Sequence, residues 1–187
     1  IEKALAEYKP MWAFMAHWET GSGRINDIQG FNEACQKHGV MGMVDAVSSL
    51  GIEYFDIDDY PAVVAWSSCP QKGILCLPLT YAPVSFRDEA IEVVKKRGCR
   101  TYGHHPVLEA RHWGIINGKD GDPTYHRTHS CYSVAAFHEA LRILLQHGRE
   151  QKATDYVYHE KALRLAVEAM GGEVTSTIFQ GFSNKVH

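Results

Sequence analysis

An acidic and a basic residue each follow an apolar run that is typical of a buried strand. Asp45 comes directly after residues 40–44, and Lys72 lies in a polar turn that follows residues 62–66. In an open α/β sheet, ligands bind outside the carboxyl ends of the strands, so we expect both side chains to face one crevice. Each residue alone also fits a structural role, Asp45 as a helix cap and Lys72 as a solvated loop lysine.

Together the two side chains meet the main needs of a pyridoxal-phosphate site. A lysine amine forms a Schiff base with the aldehyde, and a carboxylate keeps the ring nitrogen protonated so that the ring accepts electrons. Donors in a glycine-rich turn can hold the phosphate, and residues 17–23 form such a turn after the apolar run at 11–16. We therefore predict that Lys72 is the Schiff-base lysine and Asp45 the partner of the pyridine nitrogen.

The segments that must position these residues alternate between strand-like and helical patterns. Apolar runs at residues 11–16, 40–44 and 62–66 predict buried strands. Residues 27–38 predict an amphipathic helix with Asp27 as its N-cap. Such an alternation implies a mostly parallel sheet that is covered by helices.

The second half of the chain is predicted to be largely helical. Residues 79–86 indicate an edge strand or a bent hairpin, because of Pro78 and Pro83. Residues 99–130 show neither the hydrophobic period of a helix nor that of a strand. They are rich in glycine, proline, histidine and aromatic residues, which favours a functional loop or an interface. The remaining predicted elements are helices at 88–97, 132–147 and 152–170 and a strand at 174–179.

The composition argues against a nucleic-acid-binding protein and against a membrane-spanning one. The 187 residues are 45% hydrophobic and carry a formal net charge of −3, so there is no basic footprint for nucleic acid. No apolar run is long enough to span a bilayer, and we expect no membrane partner. Five cysteines without a CxxC motif predict a reducing compartment, the cytoplasm or an organelle matrix.

Several short motifs occur in the order in which the class V aminotransferases of fold type I carry them. The sequence resembles this family along nearly its whole length, especially the alanine–glyoxylate and serine–glyoxylate branch. The matching stretches are residues 17–23 (HWETGSG), 44–51 (VDAVSSLG), 71–72 (QK), 82–86 (APVSF), 125–128 (YHRT) and the helical region 136–171.

The resemblance implies an α/β fold, that of the fold type I large domain with a mostly parallel sheet covered by helices. Residues 1–148 would belong to the large pyridoxal-phosphate-binding domain, and residues 149–187 would begin the small C-terminal domain. The family's chains are considerably longer, so we expect these residues to be the central part of a larger enzyme, with apolar strand surface left exposed.

The resemblance also implies roles for seven residues. Lys72 would form the Schiff base and shuttle the proton, and Asp45 would pair with the ring nitrogen. The other implied cofactor contacts are Val47 on a ring face, Thr20 beside the ring hydroxyl, Gln71 at the phosphate, and Tyr125 and Thr128 at the phosphate of a neighbouring subunit. A homodimer with shared active sites follows, and His17 is expected to orient its neighbours.

The activity implied is transfer of an amino group from a small amino acid to a 2-oxo acid such as glyoxylate or pyruvate. A lyase or desulfurase-like relative would use the same lysine and aspartate, although Gln71 stands where desulfurases usually carry a histidine. An inactive relative that acts as a binding partner is a further alternative. No metal site is predicted, because zinc ligands are usually spaced pairs. The residues considered for one were His104, His105, His112, His126, His129, Cys99 and Cys131.

Overall fold

The computed structural model describes residues 1–74, 82–116 and 124–174. In these residues helices and strands alternate through the first half of the chain, and helices occupy the second half. The helices are α1 (Glu2–Tyr8), α2 (Ile28–His38), α3 (Asp88–Arg97), α4 (Pro106–His112), α5 (Cys131–His147) and α6 (Arg149–Ala169). The strands are β1 (Trp12–Ala16), β2 (Trp18–Glu19), β3 (Arg24–Ile25), β4 (Met41–Asp45), β5 (Val63–Ser67) and β6 (Val84–Phe86).

Four strands form the main sheet, in the order β1-β4-β5-β6. The first three are parallel, and their register aligns Ala16 with Asp45 and Asp45 with Ser67. Strand β6 pairs antiparallel with β5 at the edge. The fold confirms the mostly parallel sheet predicted from the sequence, and the carboxyl ends of three strands meet at one edge.

Helix α2 supplies much of the core that supports this edge. Phe31 and Cys35 on its inner face are almost fully buried and pack in one cluster with Val44 of β4 and Val63 of β5. The predicted N-cap is confirmed, because the Asp27 side chain accepts a hydrogen bond from the Gly30 amide. Burial of this apolar face stabilises the helix against the sheet.

The opposite face of the sheet is less covered. Phe14 of β1 leaves 64% of its surface exposed, although it lies in the middle of a strand. A parallel strand is normally buried on both faces. This agrees with the apolar strand surface that we expected to be exposed.

Several elements differ from the prediction. The connection between β4 and β5 spans residues 46–62 and contains a 3-10 helix, Ile57–Asp59, where no element was predicted. The glycine-rich segment after β1 forms the small antiparallel hairpin β2–β3. Helix α4 lies in the region for which no element was predicted, and Pro106 occupies its first turn, where proline is favoured.

The helices and strands near the carboxyl end follow the prediction with small shifts. Helix α5 begins one residue earlier than expected, and α6 begins at Arg149 where residue 152 was predicted. Of the predicted strand at 79–86, the part up to residue 81 lies outside the described residues, and 84–86 form β6. The predicted strand at 174–179 also lies outside them, apart from Val174.

No helix within the described ranges combines the length and the apolar character that crossing a bilayer requires.

A buried amide joins α2 to the start of β5. Asn32 is 3% exposed, and its Oδ1 accepts a hydrogen bond of 2.9 Å from the Ala62 amide. We expect Asn32→Ala to lower the free energy of unfolding by about 1–3 kcal/mol, because the Ala62 N–H loses its partner. Urea titration of the full-length protein measures this change. Gln36→Ala on the exposed face of α2 is the control, and equal losses in both variants would contradict the role of Asn32.

Candidate active site

The site lies at the edge where β1, β4 and β5 end. The His17 amide donates to the Asp45 carbonyl oxygen at 2.9 Å, and the Ala46 amide donates to the Ser67 carbonyl oxygen at 2.8 Å. These bonds continue the parallel ladder by one residue beyond the strands. The segments that follow the three strands are therefore held side by side.

Asp45 begins a tight turn that determines where the next residues point. Its Oδ1 accepts a hydrogen bond of 2.8 Å from the Val47 amide, and the Leu50 amide donates to the Ala46 carbonyl oxygen at 2.9 Å. Asp45 and Val47 are both half-buried. Within the described residues Oδ2 of Asp45 has no hydrogen-bond partner, so this carboxylate keeps an acceptor for a ligand.

Lys72 reaches into the same edge. Its Nζ lies 2.8 Å from Oγ1 of Thr20 and 2.9 Å from Oγ of Ser48, and the two hydroxyl oxygens are 2.7 Å apart. Ser48 is three residues after Asp45, so the lysine and the aspartate lie on one rim of the sheet. The structure thus brings Lys72, Thr20 and the Asp45 turn together, as the sequence predicted.

The backbone beside Lys72 packs directly against the Asp45 turn. A Cβ atom at Gly73 would lie 2.2 Å from the Leu50 carbonyl oxygen, and one at Gly51 would lie 2.6 Å from the Gly73 carbonyl oxygen. Gly51 also has φ of +86°, in the region that favours glycine. Only glycine at both positions permits this approach, which sets the separation between the two turns.

His17 is a buried neighbour of the site. Its Nδ1 lies 2.9 Å from Oγ of Ser49, and its ring packs edge-on against Phe55 with centroids 5.1 Å apart. Burial lowers the pKa of His17 to about 4. The ring is therefore neutral near pH 7, which suits the orienting role expected for it.

Tyr125 and Thr128 lie on the segment that precedes α5, where they bond to each other at 2.5 Å between the hydroxyl oxygens. Tyr125 is 70% exposed, and its ring contacts His112 of α4. In the described part of the chain no contact joins this pair to Lys72. Gln71 is exposed in the turn before Lys72, and it too has no described polar contact.

Glu109 on α4 anchors the segment that carries Tyr125 and Thr128. Its carboxylate bonds the Arg127 guanidinium, and it lies 3.1 Å from Nε2 of His129 and 3.5 Å from Nε2 of His126. Burial acts to raise the pKa of Glu109, but the hydrogen bond and charge of Arg127, with the two histidines, hold that pKa below its ordinary value. The carboxylate therefore stays charged between its partners.

Two residues of this arrangement were not predicted. Ser48 was quoted within the VDAVSSLG stretch but received no role, and its position three residues after Asp45 in a tight turn is the signal that could have identified it. Glu109 had no signal, because nothing in the sequence relates it to Arg127 eighteen residues later.

The histidines of this region do not form a metal site in the described residues. No group of three or more histidine, cysteine, aspartate or glutamate side chains in residues 1–74, 82–116 and 124–174 could hold a metal ion. The metal-binding alternative gains no support from the structure.

The buried state of His17 predicts a pH dependence of stability. Its pKa of about 4 in the folded chain is below the ordinary 6.5, so the unfolded chain binds more protons between these values. His17 should therefore lower the free energy of unfolding as the pH falls from 6.5 towards 4, by up to about 3 kcal/mol, and have no effect above 6.5.

Comparison of the wild-type protein with His17→Gln by urea titration at several pH values measures this contribution. The comparison is needed because burial raises the pKa of Glu53 to about 7. Glu53 therefore lowers the free energy of unfolding as the pH rises from 4.5 to 7, opposite to His17. A constant difference between the two proteins from pH 4.5 to 7.5 would contradict a neutral buried His17.

Comparison with known proteins identifies several homologues, although no protein-family model matches the chain. Alanine–glyoxylate aminotransferase of Oryctolagus cuniculus is 30% identical over 154 residues, which are 81% of this chain and 38% of that protein. The crystal structure of ureidoglycine–glyoxylate aminotransferase from Bacillus subtilis superimposes with a TM-score of 0.81 at 25% identity, over 92% of this chain and 44% of that one. Alanine–glyoxylate aminotransferase from Nostoc sp. gives a TM-score of 0.82 at 27% identity, over 91% of this chain and 44% of that one.

The chain spans about two fifths of the length of the relatives it matches. Sequence and structure comparisons agree on the same group of enzymes over most of the chain. Three of the motifs that suggested this group, at residues 17–23, 44–51 and 71–72, meet at the edge of the sheet. The chain is thus similar in sequence to glyoxylate aminotransferases over most of its length, and it has the fold of the fold type I pyridoxal-phosphate enzymes.

Proposed function

We propose that this chain forms the cofactor-binding part of a pyridoxal-phosphate-dependent aminotransferase. The enzyme moves an amino group from a small amino acid to a 2-oxo acid such as glyoxylate or pyruvate. The observation that carries the proposal is the placement of the Lys72 amine beside the Asp45 turn, within 2.9 Å of two hydroxyl oxygens. The names of the homologues support the choice of glyoxylate as acceptor.

The side chains at this edge fit the chemical groups of pyridoxal phosphate. The cofactor, when bound, supplies an electron-accepting ring that stabilises negative charge on the substrate α-carbon. The available Oδ2 of Asp45 is suited to accept a hydrogen bond from a protonated ring nitrogen, and a carboxylate there favours the charged form of that nitrogen. Val47, half-buried next to it, would cover one face of the ring.

Lys72 would hold the aldehyde carbon of the cofactor and move a proton. Its Nζ is the atom that would accept a proton from the substrate α-carbon and return it. Thr20 and Ser48 keep this amine at the rim, and they offer hydroxyl groups to the ring substituents when Lys72 turns to the cofactor. Gln71, exposed in the preceding turn, is proposed to reach the phosphate.

Tyr125 and Thr128 are proposed to contact the phosphate in a second copy of the chain. The exposed tyrosine and the 2.5 Å bond between the two hydroxyl groups present a paired donor set to the outside. A homodimer with shared active sites would use this surface. In the proposed division, residues 1–148 are part of the large pyridoxal-phosphate-binding domain, and residues 149–187 begin the small C-terminal domain.

The proposed location is a reducing compartment, the cytoplasm or an organelle matrix. The four cysteines within the described residues have free thiols, which supports this choice. They are Cys35, Cys69, Cys99 and Cys131.

Removal of the Lys72 amine tests the proposed function. In the full-length enzyme loaded with pyridoxal phosphate, Lys72→Ala should lower kcat for alanine and glyoxylate by at least about 100-fold, because the proton shuttle is lost. Borohydride reduction followed by peptide mass spectrometry should attach the cofactor to Lys72 in the wild-type protein and to no residue in the variant. Lys161→Ala, an exposed lysine on α6, is the control.

A cofactor adduct at another lysine, or undiminished turnover in Lys72→Ala, would contradict the assignment. Release of sulfide from cysteine at a rate above that of glycine formation from glyoxylate would instead favour the desulfurase-like alternative.

Neutralisation of Glu109 tests the shared-site part of the proposal. Glu109→Gln removes the charge that holds Arg127 and the two histidines, so Tyr125 and Thr128 should lose their fixed position. We expect the Kd for pyridoxal phosphate to rise about tenfold, equivalent to 1.4 kcal/mol. Fluorescence titration of the cofactor-free protein measures it. Glu139→Gln, which breaks an exposed pair with Arg142 on α5, is the matched control, and equal Kd values in the two variants would overturn the role of Glu109.

A further inference from the structure

A buried lysine lies behind the turn that carries Lys72. Lys152, in the first turn of α6, is only 8% exposed. Burial of an ammonium group is unfavourable unless the charge is paired or hydrogen-bonded. Its position adds to this cost, because the amino end of a helix disfavours positive charge. A buried cation in this place requires strong contacts to hold it.

Lys152 contacts the backbone next to Lys72. Its Nζ donates a hydrogen bond of 2.6 Å to the carbonyl oxygen of Gly73, across 79 residues of chain. The same ammonium lies 5.7 Å from the centre of the Tyr156 ring. A charged donor makes a stronger bond to a carbonyl oxygen than a neutral one does. This bond therefore ties α6 to the residue that directly follows Lys72.

Gly73 is held from a second side by the turn that follows β4. The close approach of its backbone to Leu50 and Gly51 leaves no room for a side chain at Gly73. The Asp45 turn thus lies on one side of Gly73, and the Lys152 ammonium lies against its carbonyl group. A displacement of either support would shift the backbone that carries the Lys72 side chain.

We propose that Lys152 is a positioning residue that fixes the Gly73 carbonyl group and thereby orients Lys72 towards the Asp45 turn. This inference rests on the proposed role of Lys72 in cofactor binding. Lys152 acts through the backbone and does not contact the reacting atoms. The bond also couples α6 to the site, so that a movement of this helix is transmitted to Lys72.

The experiment uses the full-length protein and the variants Lys152→Met, Lys152→Gln and Lys161→Met. Hydrogen exchange of the cofactor-free protein, followed in a peptide that spans residues 66–74, reports the order of the turn without any cofactor. We expect exchange to be about tenfold faster in Lys152→Met, because one charge-assisted hydrogen bond is lost. Lys161→Met, an exposed lysine on the same helix, should match the wild-type protein.

Lys152→Gln retains a donor with a shorter reach, so its exchange rate should fall between those of Lys152→Met and the wild-type protein. This variant also decides the test if Lys152→Met does not fold. The second readout is the pH profile of adduct formation between pyridoxal phosphate and Lys72, trapped by borohydride. The midpoint of this profile should shift from the wild-type value in Lys152→Met, because a change in orientation alters the surroundings of the Lys72 amine. In Lys161→Met the midpoint should equal the wild-type value.

The inference would be overturned if the Lys152 variants had the same exchange rates and the same pH midpoints as Lys161→Met. Failure of the proposed function has a different signature, because the wild-type protein itself would then form no adduct at Lys72. In that case the hydrogen-exchange comparison still decides whether Lys152 orders the turn.

Discussion

The site depends on the register of three parallel strands and on one ammonium group that joins the segments beyond them. Strands β1, β4 and β5 end at one edge of the sheet, because Ala16 aligns with Asp45 and Asp45 aligns with Ser67. The Lys72 amine then bonds a hydroxyl from the segment after β1 and a hydroxyl from the turn after β4. A slip of one residue in either pairing would turn these side chains to the other face of the sheet.

The carboxylates of Asp45 and Glu109 have different surroundings, which suit them to different roles. Asp45 accepts one backbone hydrogen bond and keeps its second oxygen available within the described residues. Glu109 is held by Arg127 and faces two histidines, which satisfies its charge inside the chain. The first arrangement suits recognition of a cationic ring nitrogen, whereas the second suits the fixing of a loop. The amine of Lys72 lies between them in sequence and bonds the hydroxyl groups of Thr20 and Ser48 at the same rim.

Most helices and strands could be predicted because their signals are local. Apolar runs identified β1, β4 and β5 to within one residue, and Asp27 identified the start of α2. The seven-residue helix α4 was missed, because two turns are too short to show a helical period. The 3-10 helix Ile57–Asp59 in the connection between β4 and β5 was also not predicted, because three residues are too few to show a period.

By itself the sequence determined the types of chemical group and their order along the chain: a hydroxyl group after the first predicted strand, a carboxylate after the second and an amine after the third. These follow from residue identity and from hydrophobic periodicity, which are local properties. The tertiary structure alone decided which groups meet. The contacts of Lys72 with Thr20 and Ser48, and of Lys152 with Gly73, join residues 24 to 79 positions apart, and such pairs depend on strand order, glycine packing and helix placement.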